Sequence, residues 1–138
     1  GILTVFQKIP SDLTDKAETI LKFVGLHQKR KLRAGDLSFG QQKLLELAMA
    51  LMNEPKMLLL DESTAGINPT LINGIIDRLI SVNKDYGITL LVIEHNMKVI
   101  MNLAQRVFCL AHGQMLANGT PDEIKNDKRV LDAYLGAQ

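Results

Sequence analysis

The sequence predicts an α/β fold built on a largely parallel sheet. Two short apolar runs, MLLL at 57–60 and ITLLVI at 88–93, predict strands of such a sheet. Segments with apolar residues at helical spacing precede the first run and separate it from the second. A third apolar run, RVFCLA at 106–111, follows a further short helix. Because strands that alternate with helices usually pair in parallel, helices should pack on the faces of this sheet.

The composition is that of a folded chain of one-domain size. The chain has 138 residues, 46% of them hydrophobic, which is enough for a hydrophobic core. A formal net charge of +1 gives no electrostatic reason to expect nucleic acid or an anionic membrane as the main partner. No apolar stretch approaches the roughly 20 residues of a membrane span. The start, GILTVFQKIP, has no signal-peptide pattern.

The single cysteine, Cys109, excludes an internal disulfide and suits a reducing compartment. We expect it to be a small buried hydrophobe. Together these features predict a soluble, compact, cytoplasmic protein.

The N-terminal part of the chain predicts an arm and two helices. Residues 1–10 predict a short strand or an extended arm. A helix is expected over 11–25, with Gly25 placed to stop it. The basic segment HQKRKLR at 27–33 predicts a solvated connector rather than a phosphate site. Apolar residues at helical spacing then predict a helix over 39–53.

The C-terminal part predicts alternating strands and helices. MLLL and ITLLVI are continuous apolar runs, so we expect both strands to be buried on both faces. Asn68-Pro69 predicts the start of the helix between them, and Gly87 its end. A short helix is expected over 96–104. His112-Gly113 predicts the turn of a hairpin over 106–118, and TPDE at 120–123 a capping box that starts a helical tail.

Acidic and imidazole groups follow the first two strands directly. Asp61 and Glu62 come after MLLL, and Glu94 and His95 come after ITLLVI. In an open parallel sheet, ligands bind at the carboxyl ends of the strands. Asp61 could therefore hold Mg²⁺, Glu62 could orient or deprotonate a water, and His95 could contact a phosphate. A solvated strand end and a structural histidine are the plain alternatives.

The stretch LSFGQQ at 37–42 precedes the helix over 39–53. Free N–H groups and the positive end of the helix dipole make such a helix start an anion site. Ser38 adds a hydroxyl, and Gly40 allows a phosphate close to the backbone. An ordinary helix N-cap at Ser38 is the alternative.

Taken together, these stretches resemble the ATP-binding cassette (ABC) ATPases from about residue 30 to the end of the chain. LSFGQQ is similar to their signature motif, MLLLDE to Walker B, residues 65–68 to the D-loop, and His95 to the switch histidine. The resemblance implies catalytic roles for Glu62 and His95 and a Mg²⁺ ligand in Asp61. It implies ATP contacts for the signature and D-loop residues, namely Leu37, Ser38, Phe39, Gly40, Gln41, Gln42, Ala65, Gly66, Ile67 and Asn68.

The same resemblance implies a fold and partners. The fold is a partial P-loop NTPase core with a mostly parallel sheet (55–138), preceded by part of the helical signature subdomain (1–54). TAGINPT, IEHNMKVIM, GQMLANGTPDEI and DAYLG are similar to the ATPases of branched-chain amino acid uptake. The implied partners are a second ATPase subunit and transmembrane permease subunits. The implied location is cytoplasmic, at the inner membrane through the permease.

The sequence departs from the family pattern at the Walker A loop. No GxxxxGKS or GxxxxGKT occurs, since the Gly35 to Gly40 spacing is followed by Gln41 and Gln42. The strand before that loop and an aromatic residue to stack on adenine are not found either. A chain without this loop has poor means of holding the β- and γ-phosphates. We therefore expect no ATP hydrolysis by these residues alone. The resemblance implies ATP and Mg²⁺ as the cofactors of the family.

Three smaller departures concern single residues. Gln7 lies only 30 residues before Leu37, too close for the family's Q-loop glutamine, so residues 1–15 are assigned to the helical subdomain or a remodelled arm. Ser63 stands where proline commonly follows the acidic pair. Asn68 stands where the D-loop usually has aspartate.

In the fold of the family, the missing strand lies between the strands at 88–93 and 106–111. Its loss should leave a gap and unpaired strand edges, which invite pairing with another chain. We therefore expect a homo-oligomer in isolation, with exchanged elements, or a sheet in which GILTVF fills the gap.

Three functions remain open from the sequence. The chain is part of an ATPase that drives amino acid import, and residues 37–42 complete a site on a full-length partner, because each Walker A of such a pair faces the other subunit's signature. Alternatively, it is a non-catalytic docking or regulatory module, or a remnant without activity. Replacing Glu62 with glutamine separates the first two, because a docking module would not be affected.

Overall fold

The computed structural model describes residues 11–135, except for the side chains of Thr70, Tyr134 and Leu135. Its first half is helical. Helix α1 (Ser11–Phe23) is followed by single 3₁₀ turns at His27–Lys29 and Ala34–Asp36, and then by helix α2 (Phe39–Leu51). The predicted arm at 1–10, including GILTVF, lies outside the described residues.

Helix α1 ends where the sequence predicts, because Gly25 adopts a φ of +77°, a conformation that terminates helices at low cost. Lys16 of α1 forms an ion pair with Glu54 just beyond α2. The hydrogen bond and the positive charge of Lys16 lower the pKa of the Glu54 carboxyl. The basic connector is confirmed as an exposed segment, in which Arg30 lies 3.6 Å from Glu18.

The second half alternates strands and helices. The elements are β1 (Met57–Asp61), α3 (Pro69–Lys84), β2 (Thr89–Ile93), α4 (Met97–Leu103), β3 (Val107–Ala111), β4 (Gln114–Gly119), α5 (Pro121–Asn126) and α6 (Lys128–Leu135). Helix α3 begins at the predicted Pro69, and Gly87 takes a φ of +67° between α3 and β2. The start of α3 follows from a local signal in the sequence, whereas α3 ends at Lys84, three residues before the predicted stop at Gly87.

The strands form two separate two-stranded sheets. β1 and β2 pair in parallel, with Leu59 opposite Leu91 and Asp61 opposite Ile93. β3 and β4 pair antiparallel as the predicted hairpin, and both turn residues, His112 and Gly113, have positive φ. Among the described residues, β2 and β3 are not hydrogen-bonded to each other. This separation agrees with the predicted gap, and whether GILTVF fills it remains a prediction because that segment lies outside the described residues.

Two hydrophobic clusters stabilise these layers. The larger joins apolar side chains of α2, α3, β1 and the α1 end, including the fully buried Leu79, Val24 and Val82. The smaller lies under the hairpin, where Cys109 and Ala117 pack against Ile124 of α5 and Val130 of α6. Cys109 is a buried free thiol, as predicted.

The expectation that β1 and β2 are buried on both faces is wrong. The face carrying Leu58, Leu60 and Leu90 packs against the cluster of α2 and α3. The opposite face is exposed, because no described helix covers it. We call this surface the open face; its apolar residues are Met57, Leu59, Leu91 and Ile93. Leu59 is 72% exposed.

No helix within residues 11–135 combines the length and the apolar character needed to cross a bilayer.

Candidate functional site

The signature-like stretch forms the start of helix α2. Ser38 is the N-cap, and its hydroxyl accepts a hydrogen bond from the Gln41 N–H (3.4 Å). The Gln41 side chain accepts in return from the Ser38 N–H (3.1 Å), which completes a capping box. A hydroxyl that accepts one hydrogen bond still has its own hydrogen to donate. The plain N-cap and the anion-site interpretations of Ser38 are therefore compatible.

The second amide of the stretch holds the loop before α2. Gln42 Nε2 donates to the carbonyl oxygens of Leu37 (3.1 Å) and Ala34 (3.4 Å). Gly40 is buried, and a Cβ at this position would lie 2.9 Å from Leu71 Cδ1 and 3.6 Å from Ile67 Cγ2. The structure thus gives Gly40 a packing role against α3 and the D-loop. The close approach of a phosphate remains a prediction.

The D-loop packs directly against the signature residues. Gly66 has a φ of +70°, and a Cβ there would lie 3.4 Å from the Phe39 ring. Ile67 is buried beside Gly40. The loop is tightened by two turns, in which the N–H groups of Ala65 and Ile67 donate to the carbonyls of Glu62 and Thr64. Residues that are far apart in the sequence therefore form one surface.

The two strand ends meet as predicted. The Glu62 N–H donates to the Ile93 carbonyl (2.9 Å), which extends the pairing of β1 and β2 by one residue. His95 Nδ1 lies 3.2 Å from Glu62 Oε1, and the side chains are 68% and 53% exposed. Asp61, the last residue of β1, is exposed and lies on the open face in register with Ile93.

One pair in this region was missed from the sequence. Thr64 is buried, and both its N–H and its hydroxyl donate to Glu94 Oε1, at 3.1 Å and 2.5 Å. The position of Glu94 between a buried strand and His95 was the available signal. Its partner could not be identified, because a sequence does not state which loop lies beside a strand end.

The carboxylates of this site suit one mode of Mg²⁺ binding and not another. Within the described residues, no group of three or more His, Cys, Asp or Glu side chains could hold a metal. Mg²⁺ bound with a nucleotide commonly takes one or two carboxylates together with phosphate oxygens and waters. Asp61, exposed at the carboxyl end of β1, is compatible with that mode and not with a metal site built from protein side chains alone.

The fold and this arrangement are those of part of an ATP-binding cassette of the ABC family. The family model described as "ABC transporter" matches residues 2–65, and that of the branched-chain amino acid ATP-binding cassette transporter matches residues 114–138. The first match includes the signature-like stretch and the acidic pair, and the second runs from β4 onward.

More particularly, the chain is homologous to ATP-binding subunits of branched-chain amino acid transporters. It is 37% identical over 131 residues to the high-affinity branched-chain amino acid transport ATP-binding protein LivG of Salmonella typhimurium, covering 95% of this chain and 51% of the relative. It is 34% identical to BraF of Pseudomonas aeruginosa, a protein of the same description, over 95% of this chain and 51% of BraF. The chain thus spans about half the length of these relatives.

Solved structures agree with this assignment. The ADP conformation of MJ1267, an ATP-binding cassette of an ABC transporter, matches with a TM-score of 0.85 and 34% identity over 96% of this chain and 53% of that one. The resemblance and the partial ABC ATPase fold predicted from the sequence are confirmed. The division at residue 54 and the roles of single site residues remain predictions.

Proposed function

We propose that these residues are the signature-bearing, C-terminal half of an ATPase subunit that drives branched-chain amino acid import. The observation that carries the proposal is the loop over 62–67. At one end it holds Glu62 beside His95, and at the other it packs Gly66 and Ile67 against Phe39 and Gly40. One loop thus links the strand ends to the signature.

Each part of this surface has a chemical role in the proposal. The capped start of α2 offers the positive end of the helix dipole and the Ser38 hydroxyl to a phosphate. Asp61 would hold Mg²⁺, which supplies charge neutralisation at the phosphates when bound. Glu62 would orient an attacking water, and His95, beside it, would contact the terminal phosphate. D-loop residues 65–68 would border the nucleotide.

The phosphates need a further binding element. The 138 residues contain no GxxxxGKS or GxxxxGKT. The backbone cradle and lysine that grip β- and γ-phosphates must then come from another polypeptide segment. In the proposed arrangement, residues 37–42 close over ATP held by a second ATPase subunit. Permease subunits complete the importer and place it on the cytoplasmic side of the inner membrane.

The relatives support the proposed cargo. LivG and BraF are both described as high-affinity branched-chain amino acid transport proteins, and the family model for this class matches residues 114–138. In this proposal the cassette does not contact the transported molecule. The cargo is therefore identified by finding which permease the subunit binds and which amino acid that permease transports.

A complementation assay tests the shared site. A complete cassette with a defective signature is mixed with this chain, and ATP turnover is measured. Turnover should rise to a saturating level with the unaltered chain and stay low with Ser38→Asn. Asparagine caps helices as well as serine does, so this variant removes the hydroxyl while preserving α2. Gly35→Ala is the matched control, since a Cβ at Gly35 meets nothing within 4 Å.

A docking or regulatory module is the second candidate, favoured by the open face. Leu59 and Ile93, 72% and 61% exposed, offer an apolar surface to a complete cassette or transporter. A docking module would lower the turnover of an intact cassette by competition, and neither Ser38→Asn nor Glu62→Gln would change that effect. Equal inhibition by all variants would therefore favour docking over a shared site.

A further inference from the structure

We propose that Glu94 is a positioning residue for Glu62 and His95, because its carboxylate ties together the loops that carry them. Oε1 accepts hydrogen bonds from the Thr64 N–H (3.1 Å) and hydroxyl (2.5 Å). Oε2 accepts from the Asn96 N–H (3.4 Å). The catalytic consequence rests on the proposed function, whereas the contacts of Glu94 do not.

Thr64 makes this carboxylate hard to replace. Thr64 is only 4% exposed, and its hydroxyl and N–H both need an acceptor, since buried donors without one are costly. An ionised carboxylate forms stronger hydrogen bonds than a neutral acceptor. Loss of Glu94 would leave two buried donors unsatisfied and release the loop after β1.

Hydrogen bonds hold the backbone of that loop at Glu62 and at Thr64. The Glu62 N–H donates to the Ile93 carbonyl, and the Thr64 N–H, two residues later, donates to Glu94. Glu62 itself adopts a φ of +45°, which residues other than glycine seldom take and which persists only where the surrounding structure holds it. The direction of the half-exposed Glu62 side chain therefore depends on the bonds made to Glu94.

The same carboxylate also fixes the backbone beside His95. Asn96, its neighbour, donates its N–H to Glu94 and caps helix α4 by accepting from the Lys98 N–H (3.0 Å). Because the imidazole is 68% exposed, its place is determined mainly by the backbone of residues 94–96. A single group thus sets the positions of both partners of the 3.2 Å contact.

Nuclear magnetic resonance of the 138-residue chain tests the proposal without ATP. Glu62→Gln should shift the ring ¹⁵N and ¹³C resonances of His95, because the two side chains are in contact. This shift should be lost when Glu94→Ala is also present. It should be retained with Glu46→Ala, the matched control, which removes an exposed carboxylate of α2 that pairs with Lys43.

Conservative variants separate positioning from general stability. Glu94→Gln should retain part of the shift, because its amide oxygen can still accept from Thr64 while its NH₂ group cannot accept from Asn96. If Glu94→Ala does not fold, Glu94→Gln and Thr64→Val carry the test; the valine keeps the side-chain size and removes the hydroxyl. A full His95 shift in every folded variant would overturn the proposal.

The outcome is independent of the shared ATP site. Failure of the chain to restore turnover would count against the proposed function and would leave the His95 result unchanged. A lost shift together with restored turnover would support both.

Discussion

Gly66 shows how much of the site depends on one backbone conformation. Its φ of +70° lets the D-loop turn towards Phe39. We predict that Gly66→Ala destabilises the chain by about 1–2 kcal/mol, the cost of placing a Cβ in the left-handed region. The free energy of unfolding measured by urea denaturation checks this. The Phe39 ring adds to the cost, because the new Cβ would lie 3.4 Å from it.

Gly35→Ala is the control for that prediction. Gly35 has no positive φ, and a Cβ there meets nothing within 4 Å. Its free energy of unfolding should stay within about 0.5 kcal/mol of the unaltered chain. Equal losses for the two alanine variants would show that the conformation of Gly66 is not the cause.

For single residues, the sequence predicted the place of a side chain along a strand better than the residues that it contacts. The acidic pair and His95 could be placed at the carboxyl ends of neighbouring strands, and the structure brings Glu62 and His95 together. The positive φ of Glu62 and the bond from Thr64 to Glu94 could not be predicted. Both arise from how two loops distant in sequence meet, which no local signal encodes.

Among the elements, helix α5 gives a pH-dependent prediction. In its capping box the Thr120 hydroxyl accepts from the Glu123 N–H (3.3 Å), and the Thr120 N–H donates to the Glu123 carboxylate (2.8 Å). The bond from the Thr120 N–H is the main cause that lowers the pKa of the Glu123 carboxyl below its usual 4.5. A lowered pKa contributes stability above the unfolded-state value, and this stability is lost as the pH falls through the folded-state value. Glu123 should therefore stabilise α5 at neutral pH and cease to do so in acid.

A comparison of variants isolates this contribution from other carboxyl groups. The thermal midpoint is measured from pH 7 down to pH 3 for the unaltered chain and for Glu123→Gln. The difference should be largest near pH 7 and shrink below about pH 4.5, where the carboxyl becomes protonated. Asp122→Asn is the control on the same first turn. A difference independent of pH would refute the ionic part of this cap.

The element boundaries were predictable because their signals are local. Gly25, Ser38, Pro69 and Thr120 each mark a helix end in the sequence and in the structure. The burial of β1 and β2 was not predictable. A continuous apolar run shows that both faces favour burial, but the covering layer depends on segments elsewhere in the chain or outside it.

Across the whole chain, the one-sided sheet predicts unequal costs for similar substitutions. Leu79 of α3 is 1% exposed and Leu59 of β1 is 72% exposed. Leu79→Ala should cost about 2–5 kcal/mol, since it leaves a cavity in the core. Leu59→Ala should cost less than about 1 kcal/mol in a monomer. Urea denaturation of both variants at low protein concentration checks the difference; similar losses would mean that the open face is covered.

The open face and the separation of β2 from β3 also predict self-association. Exposed leucine and isoleucine side chains on two neighbouring strands form an apolar surface, and strand edges that have no partner within residues 11–135 can accept further strands. We predict that the 138-residue chain forms oligomers whose mass rises with concentration in sedimentation velocity experiments. Leu59→Lys with Ile93→Lys should shift the distribution to monomer and leave the thermal midpoint of the monomer nearly unchanged. A chain that is monomeric at every concentration before substitution would exclude this surface as a self-contact.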